Sequence, residues 1–494
     1  MNRTPQVLQS GIQMQPDVTR VIARLFVPGR EDVGPGDSRA APVIERILAL
    51  GDDEIESALT DVEARFAQRH PDLHEIFETN AAMVTSRIDP DVELSRARLL
   101  VLGAAFTHEY AIEAAALCNP SAVLHPHQVD EGGATFVLSV RGIGEGHRSS
   151  IGFRTGHIGV NGAVTVEPAG PFPHTGTTTA GRNRRSVLHA KLGALDDDRE
   201  NAAYVLDSLP ELFDDSELNA RIDGLASEAT TRRNTATTIA SLRGFARSSY
   251  DVTFDPAQDL SERVLWPHAP AESNGMEDAR FVRFTDDSGA ITYYGTYTAF
   301  NGTEISQHLL ETDDFVTFSA SPMGGPAAIG KGLALFPRKV GGRFAALSRS
   351  DRETNAIAFS DDVRCWPDSQ PIQTPTRAWE LLQLGNCGSP IETEAGWLVL
   401  THGVGPMRTY SLGAILLDLD DPGIVLAHSV DPILSPGNDR RDGYVPNVIY
   451  SCGGFAHHDT LVLPYAMADQ HISIATLSIS ELVASMRRAP VLVR

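Results

Sequence analysis

The sequence predicts an all-β fold, a five-bladed β-propeller, with an added N-terminal helical region and a helical insertion. Three observations support this: short β-rich runs begin after Asn119, a degenerate repeat starts at Tyr250, and two stretches have helical periodicity. The expected domains are a helical region over residues 1–114 and the propeller over residues 115–494, which carries the insertion at residues 184–248.

The N-terminal region is expected to be helical because apolar residues recur at helical spacing from about Asp37 to Ala116, with few Gly or Pro interruptions. The same spacing returns from about Arg184 to Ser248, inside the β-rich part. Each stretch has an apolar stripe that must be buried. We therefore expect these helices to pack on one another or on a propeller face, or to form an interface in a homo-oligomer.

In the repeat, an apolar strand runs into a short acidic or polar turn and then into another strand. The five copies are centred on Asp255, Asp313, Asp361, Asp420 and Ser480, at separations of 58, 48, 59 and 60 residues. Such separations suit four-stranded propeller blades. The alternative is an irregular β-sandwich, because acidic turns are common in antiparallel folds. Strands near Phe136 and Ile151 precede the first copy and are expected to pair with the last blade.

The composition is that of a globular protein, with 42% hydrophobic and 21% charged residues among 494. Acidic residues outnumber basic ones by 64 to 41, and the net charge of −23 repels phosphate backbones and anionic membranes. We therefore expect neither a nucleic-acid nor a membrane partner. The N-terminus lacks an apolar signal segment, and no stretch approaches the ~20 apolar residues of a membrane span. The expected localisation is cytoplasmic.

Neither a metal nor an organic cofactor is predicted. The four cysteines are far apart and form no C-x-x-C pair. The histidine pairs His125/His127 and His457/His458 lack a third ligand at a diagnostic spacing. The glycine-rich run GIGEGH, residues 142–147, follows a strand without opening a helix, which argues against dinucleotide binding.

Two clusters of charged residues could carry chemistry. The adjacent acids Glu277 and Asp278 precede an alternating strand, so one of them can face a pocket. A carboxylic acid there could protonate a leaving oxygen if burial or a neighbouring charge raised its pKa. Residues 330–351 form a basic cluster in which Lys331 and Arg349 are the better candidates to bind an anion such as phosphate.

Several longer segments occur in a regular order along the chain. They are CNPSAVLHP, VLSVRGIGEG, GMEDARFV, KGLALFPRKVGGRFAALSR, GSPIETEAGWLVLTHGV, LGAILLDLDDPGIVLAHSVDPIL, GYVPNVIYSCGG and PYAMADQHISIAT. In order and spacing they resemble the successive motifs of glycoside hydrolase family 130, the β-mannoside phosphorylases and β-1,2-mannosidases. The resemblance covers about residues 115–180 and 234–490, so the N-terminal helices and most of the insertion lie outside it.

The resemblance implies a five-bladed propeller with the active site at its axis and an inverting mechanism with Asp278 as general acid. Phosphate would attack the anomeric carbon from the opposite face, so no second carboxylate is required, and the proton would pass through a mannose hydroxyl. By motif match, the substrate-binding residues are Asn119, Ser121, Arg141, Glu277 and Asp469, and the phosphate-binding residues are Lys331, Arg349 and His402. Inorganic phosphate is thus expected as co-substrate beside the oligosaccharide.

The chain departs from the family pattern at three positions that bear on the choice of nucleophile. Ser348 precedes Arg349 where many phosphorylases have His-Arg, Thr401 replaces an aromatic residue before the His-Gly pair, and Pro464 replaces another. These departures affect the choice between phosphate and water and the identity of the glycan.

The first expectation is phosphorolysis of a β-mannoside, in particular β-1,2-linked mannooligosaccharides, to mannose 1-phosphate. One alternative is hydrolysis of the same bond, for which the sequence offers Glu380 or Glu392 as general base. The other is a non-catalytic glycan-binding propeller, because a fold does not fix an activity.

Overall fold

The computed structural model describes residues 5–28, 39–128, 132–193, 199–227, 235–438 and 441–489. The chain divides into two compact units. The smaller contains Asp17–Ala114 and Gly170–His174, and the larger contains the rest of the chain. No helix in these described ranges is long and apolar enough to cross a membrane.

The smaller unit combines helices with a two-stranded antiparallel sheet. The helices are Ala40–Ala49, Asp52–Phe66, Leu73–Thr85 and Arg96–Ala105, and the strands are Val21–Leu25 and Thr107–Ala111. Ser95 caps the last helix, because its side chain accepts a hydrogen bond from the backbone N–H of Arg98. Two helices meet at Gly103, where a Cβ would lie 1.9 Å from the carbonyl oxygen of Phe77.

The start of the predicted N-terminal region requires a correction. Leu8–Met14 is a strand that pairs antiparallel with His471–Ser478, so it belongs to the larger unit, and the smaller unit begins at Asp17. Apolar side chains at alternate positions of this segment favour a strand over a helix. Residues 1–4 and 29–38 of the predicted region lie outside the described residues.

The larger unit is predominantly β. Eleven of its described strands form one continuous sheet, which we divide at the parallel pair Gly275 and Ser149 into a first and a second group. Separate sheets of four, six and five strands are the third, fourth and fifth groups, and Asn183–Arg184 pairs with Leu212–Phe213 in a further two-stranded sheet. The first consists of Ala116–Leu124, Ala134–Ile143, Ser149–Ile158, Val164–Val166 and Val264–Leu265. The second consists of Thr177–Ala180, Tyr250–Thr253, Gly275–Thr285, Ile291–Phe300, Ile305–Thr312 and Thr317–Pro322. The third consists of Ala334–Leu335, Phe344–Ser348, Asn355–Ser360 and Gln370–Gln373. The fourth consists of Gln383–Asn386, Ile391–Thr393, Gly396–Gly405, Thr409–Leu417, Val425–His428 and Arg487–Arg488. The fifth consists of Leu8–Met14, Ile449–Tyr450, Phe455–His457, Thr460–Met467 and His471–Ser478, which precedes the helix Ile479–Ser485.

Neighbouring groups are joined by backbone hydrogen bonds. The first and second groups meet at the parallel pair Gly275 and Ser149. Gly275 has φ 146°, and a Cβ there would lie 2.8 Å from the backbone nitrogen of Ser149, so this close approach requires glycine. The strand Ala116–Leu124 of the first group is bonded to the fifth group at Cys452 and Gly453, over 2.8 and 3.1 Å.

The repeat copies are distributed differently from the prediction. Asp255 and Asp313 both lie in the second group, the other copies fall in the third, fourth and fifth groups, and the first group contains none. The strands around Phe136 and Ile151 belong to that first group, and it is their edge neighbour that contacts the fifth group. Acidic turns close many hairpins. One copy of the turn pattern therefore does not correspond to one strand group.

The insertion consists of the helices Arg185–Gly193, Arg199–Leu206, Asp215–Ser227 and Thr235–Ala246, within the predicted limits of 184–248. Their apolar faces form one buried cluster that includes Leu188, Val205 and Leu225. The apolar side chains of the insertion helices are therefore buried largely against one another. Residues 194–198 and 228–234 lie outside the described residues.

Candidate active site

A cavity of about 200 Å³, the active-site cavity, is lined by residues on or beside strands of all five groups. Its lining residues are Asn119, Arg141, Asp278, Lys331, Arg349, Gln383, His402, Arg408, Tyr410, Val448, Tyr450 and Asp469. Seven of the nine predicted site residues are among them; the other two, Ser121 and Glu277, are not. The structure thus gathers residues that are up to 350 positions apart in the chain, from Asn119 to Asp469.

Four polar residues at the cavity have left-handed backbone conformations, which are uncommon outside glycine. They are Asn119 at φ 48°, Asp278 at φ 55°, Arg408 at φ 56° and Asp469 at φ 47°. Asn119 and Asp278 each lie at a register irregularity of their strand, where a bulge redirects a side chain. Such backbone strain persists where the surrounding structure fixes it and is concentrated at functional sites.

The carboxylate of Asp278 is held by donors from the first strand group. It accepts hydrogen bonds from the side-chain amide of Asn119 and from Arg141, whose Nη1 lies 3.2 Å from Oδ1. Burial would raise the pKa of Asp278, but the cations Lys331, Arg141 and Arg280 outweigh burial and lower the pKa to about 2. Asp278 is therefore ionised at neutral pH.

Glu277 acts on the cavity through Arg141. Its Oε1 lies 2.6 Å from Nη2 of Arg141, while Nε of the same arginine donates to the hydroxyl of Ser149 over 2.9 Å. Burial raises the pKa of Glu277, and Arg141 opposes this effect. Arg141 thus bridges both members of the acidic pair, and Glu277 fixes its orientation.

Asp469 is the second acid of the cavity, and its pKa is shifted in the opposite direction to the pKa of Asp278. Burial raises the pKa of Asp469 to about 6, Arg141 lowers it, and the nearby charge of Asp278 raises it further. Two carboxyl groups in one cavity therefore differ in pKa by several units, a pattern found where acid and base roles are divided.

Arg349 directly follows the strand Phe344–Ser348 and is 5% exposed. Within the described residues it forms no ion pair, and its buried Nε has no hydrogen-bond partner. Its Nη2 donates only a long bond, 3.4 Å, to the carbonyl of Arg352. Lys331, on the same cavity, is exposed. The charge of Arg349 contributes to lowering the pKa of the exposed Asp351, but no carboxylate in the described residues lies within ion-pair distance of the buried guanidinium.

His402 is buried against two aromatic rings and adds no positive charge to the cavity. Its ring stacks on Tyr410 at 6.0 Å and contacts Tyr450 edge-on at 4.9 Å between centroids. Burial, followed by the cations Arg349 and Arg280, lowers the pKa of His402 well below its ordinary value. Its buried Nδ1 has no partner. His402 can therefore serve as a neutral hydrogen-bonding group rather than as a cation.

Ser121 has a structural environment. It is fully buried, and its hydroxyl accepts a hydrogen bond from the backbone N–H of Phe281 over 3.2 Å. Its own carbonyl accepts from the hydroxyl of Ser139. The bond from Phe281 ties the second strand group to the first beside Asp278, so Ser121 has a structural role next to the cavity.

The two glutamates offered as a general base for hydrolysis lie elsewhere. Glu380 is buried, accepts the backbone N–H groups of Thr376 and Arg377, and pairs with the Arg377 side chain at 2.9 Å. Glu392 pairs with Arg338 at 2.6 Å. Neither lines the active-site cavity.

Sequence reasoning missed five lining residues: Gln383, Arg408, Tyr410, Val448 and Tyr450. Tyr450 was within reach, because it lies in the quoted segment GYVPNVIYSCGG; its hydroxyl accepts a hydrogen bond from Arg280 over 2.9 Å. Arg408 and its neighbour Met407 both have positive φ, in a turn that directly follows Gly405 and Pro406. The described residues contain no cluster of three or more His, Cys, Asp or Glu placed to hold an ion.

A family model matches the part of the chain that contributes ten of the twelve residues lining this cavity, all except Asn119 and Arg141. The model of glycoside hydrolase family 130, described as β-1,4-mannooligosaccharide phosphorylase, matches residues 237–488, half of the chain. The chain belongs to glycoside hydrolase family 130. The family predicted from the sequence motifs is thereby confirmed, and this family 130 protein is an enzyme of the glycoside phosphorylase and hydrolase class.

Relatives in the family carry more specific names. The 1,2-β-oligomannan phosphorylase of Thermoanaerobacter sp. (strain X514) is 32% identical over 250 residues, which are 48% of this chain and 79% of the relative. A β-1,2-mannobiose phosphorylase of the same organism is 33% identical over 238 residues, 47% and 76% of the two chains. The solved structure of β-1,2-mannobiose phosphorylase from Listeria innocua with β-1,2-mannobiose is 22% identical, has a TM-score of 0.46, and covers 76% of this chain and 93% of its own.

Proposed function

We propose that this family 130 enzyme cleaves β-mannosides by inverting phosphorolysis and releases mannose 1-phosphate. The observation that carries the proposal is the buried Arg349, which forms no ion pair in the described part of the chain and has an unpaired Nε. An unmatched buried charge is costly. A phosphate ion would offset it with charge-assisted hydrogen bonds, and Lys331 on the same cavity would supply a second cation.

The proposed substrates are β-1,2-linked mannooligosaccharides. Two of the relatives are named for β-1,2-mannosides, whereas the family model is described by a β-1,4 activity. The volume of the cavity, about 200 Å³, is smaller than the roughly 300–1,000 Å³ of most ligand pockets. The cavity therefore suits a small ligand. We assign one mannosyl unit to it, bound by Asn119, Arg141 and Asp469.

The proposed reaction forms one bond and breaks one. A phosphate oxygen bonds to the anomeric carbon from the face opposite the leaving group, and the glycosidic C–O bond breaks with its electron pair going to oxygen. Asp278 supplies the proton that the leaving oxygen takes up, through a hydroxyl of the mannose. The proton carried by the attacking phosphate then returns to Asp278, so the enzyme ends the cycle as it began.

Phosphate also has an electrostatic part in this proposal. Cations that include Lys331 and Arg141 lower the pKa of Asp278 to about 2. At pH 7 almost none of this carboxyl group is then protonated and able to donate a proton. A bound phosphate dianion would offset Lys331 and Arg349 and bring negative charge near Asp278. The pKa of Asp278 would then rise, so that phosphate prepares the acid as well as attacking the sugar.

The two alternatives are less well supported by the described geometry. Hydrolysis requires a general base, and both candidate glutamates, Glu380 and Glu392, are engaged in ion pairs outside the cavity. A purely glycan-binding protein would have no need for an ionised, strained Asp278 or for the unmatched cation Arg349.

We also infer that the five strand groups are the blades of the predicted propeller. Residues on or beside strands of each group line one cavity, as expected if the cavity lies at a common axis. The hydrogen bonds between the first and fifth groups, at Cys452 and Gly453, support closure of the ring. This arrangement would explain how distant segments of the chain form one site.

The test is a product analysis with and without phosphate. The purified protein is incubated with β-1,2-mannobiose, and mannose 1-phosphate and free mannose are separated and quantified. Phosphorolysis predicts one mannose 1-phosphate and one mannose for each disaccharide, only when phosphate is present. Two free mannoses per disaccharide in its absence would indicate hydrolysis, and no product from any of a panel of β-mannosides would favour the binding protein.

A further inference from the structure

A pocket that we call the arginine pocket lies at the start of the helical insertion and has a volume of about 240 Å³. Its described lining includes three arginines, Arg182, Arg184 and Arg364, and one carboxylate, that of Asp251. None of the described residues that line it also lines the active-site cavity. The chain as a whole has a net charge of −23, so this local excess of positive charge differs from the rest of the molecule. Such an excess attracts anions.

Two of the three arginines have a charge that is available to a ligand. The half-buried side chain of Arg184 makes neither an ion pair nor a hydrogen bond with any residue that the structure describes. Arg182 is exposed, and its Nη2 donates to an uncharged acceptor, the carbonyl of Leu212, over 3.0 Å. Arg364, by contrast, pairs with Glu311. The pocket therefore has two guanidinium groups that form no ion pair within the described part of the chain.

The β-sheet side of the pocket supplies hydroxyl groups and the single carboxylate. Asp251 is paired with Ser319 of the neighbouring strand, and the Ser319 hydroxyl donates to Oδ1 of Asp251 over 2.6 Å. Ser321, two residues further along that strand, lies on the same face because side chains alternate along a strand. Ser249 is 7% exposed and lines the pocket, and its hydroxyl has no hydrogen-bond partner among the described residues. A polar ligand in the pocket would supply that partner.

These groups together suit a ligand that carries both a phosphate and hydroxyl groups. Arginine guanidinium groups bind phosphate oxygens through charge-assisted, often bidentate hydrogen bonds. A carboxylate such as that of Asp251 repels a bare phosphate ion but accepts hydrogen bonds from sugar hydroxyls, and serine hydroxyls can donate or accept them. The volume of about 240 Å³ is close to the 200 Å³ of the active-site cavity, to which we assign one mannosyl unit. The ligand is therefore expected to contain one sugar ring.

We propose that the arginine pocket is a second, non-catalytic site that binds a hexose phosphate. Arg182 and Arg184 bind the phosphate, and Asp251 and the serine hydroxyls bind the sugar. This site goes beyond the proposed reaction, which uses none of these residues. Arg184 directly precedes the insertion helix Arg185–Gly193, whereas Asp251 belongs to the second strand group, so the bound ligand connects the insertion to the sheet. Binding should therefore stabilise the folded chain by mass action.

The experiment measures the binding of mannose 6-phosphate by isothermal titration calorimetry, with inorganic phosphate and mannose titrated separately. Mannose 6-phosphate has no phosphate on its anomeric carbon, so the proposed reaction cannot use it as a mannosyl donor. We expect it to bind one site per chain, to raise Tm, and to bind at least about tenfold more tightly than inorganic phosphate or mannose. Arg184→Gln removes the charge but keeps a hydrogen-bond donor, and it should weaken this binding about tenfold or more.

Two variants serve as controls. Arg221→Gln removes an exposed arginine from another helix of the insertion, outside the arginine pocket, and Lys331→Ala removes a cation from the active-site cavity. Both should bind mannose 6-phosphate as the unmodified protein does. Arg182→Gln, at an exposed position, is a second test variant that should weaken binding in the same direction, and it replaces Arg184→Gln if circular dichroism shows that the latter has not folded.

Several outcomes would overturn the inference. One is the absence of mannose 6-phosphate binding to the unmodified protein, or an unchanged affinity in the folded arginine variants. Another is a loss of binding in Lys331→Ala alone, which would place the ligand in the active-site cavity. Equal affinities for mannose 6-phosphate and inorganic phosphate would also overturn it, because the sugar would then contribute nothing. These titrations involve no turnover, so they test the arginine pocket whether or not the enzyme phosphorolyses β-mannosides.

Discussion

Replacing Asp469 by asparagine is expected to stabilise the protein at neutral and alkaline pH. Burial raises the pKa of this carboxyl from 3.8 to about 6, so the folded state holds its proton more tightly than the unfolded state does. The stabilising effect of that proton is fully present below pH 3.8 and is lost as the pH rises through 6. A difference between 3.8 and about 6 corresponds to about 3 kcal/mol.

Asparagine resembles the protonated acid and cannot ionise, so Asp469→Asn should avoid this loss. Its stability advantage over the unmodified protein should grow between pH 4 and 7 and then remain at up to about 3 kcal/mol. Activity should fall in the same variant, because the proposed contact between the carboxylate and sugar hydroxyls is weakened. Gain of stability with loss of activity is the expected trade-off at a strained functional residue.

The assay is thermal unfolding followed at pH 4, 5, 6, 7 and 8 for the unmodified protein and for Asp469→Asn. The matched control is Asp223→Asn, at an aspartate exposed on an insertion helix and outside the active-site cavity. A Tm difference for Asp469→Asn that is independent of pH, or that shrinks as the pH rises, would refute the reasoning.

Three further predictions concern the proposed reaction. Asp278→Asn should retain the fold, measured by circular dichroism, and lose about 10²–10⁴-fold in kcat, the usual contribution of a general acid; activity within a few-fold of the unmodified enzyme would remove Asp278 from that role. Lys331→Ala and Arg349→Ala should raise KM for phosphate about tenfold per 1.4 kcal/mol of lost binding while changing KM for the mannoside less. The control is Lys339→Ala, at a lysine that pairs with Asp287 outside the cavity, and an equal effect of all three variants would contradict the assignment. Phosphate binding should be accompanied by proton uptake, because it raises the pKa of Asp278; calorimetric titrations in buffers of different ionisation enthalpy should therefore give different heats, and identical heats would exclude the coupling.

The sequence predicted which residues line the cavity more successfully than it predicted how their side chains are oriented. Asp278 was found because GMEDARFV matches a family motif, yet the alternation expected of a regular strand does not orient it. A bulge between Glu277 and Arg280 turns its side chain into the cavity instead. Bulges depend on the pairing of two strands, which a single strand's sequence does not reveal.

Charge states depended even more on tertiary structure. An acid with a raised pKa was expected at Asp278, but three cations converge on it from different strand groups, and the raised pKa belongs to Asp469. His402 was expected among the basic residues, but burial keeps it neutral. The sum of burial and neighbouring charges decides such values, and it is defined only once the chain has folded.

Domain limits were predictable where periodicity was strong. The insertion helices fall within residues 184–248 because their apolar stripes are long and uninterrupted. The strand Leu8–Met14 was missed because a seven-residue alternating segment is a weak signal and its partner lies more than 450 residues away. Pairing over such distances is not encoded locally.

The dependence of the initial rate on phosphate concentration tests the central claim most directly. The unmodified enzyme is given β-1,2-mannobiose at fixed concentration, inorganic phosphate is varied from none to saturation, and mannose 1-phosphate is measured. Phosphorolysis predicts a rate that is near zero without phosphate, rises hyperbolically, and equals the rate of disaccharide loss throughout. A rate of disaccharide cleavage that is the same at every phosphate concentration, with free mannose as the only product, would contradict it.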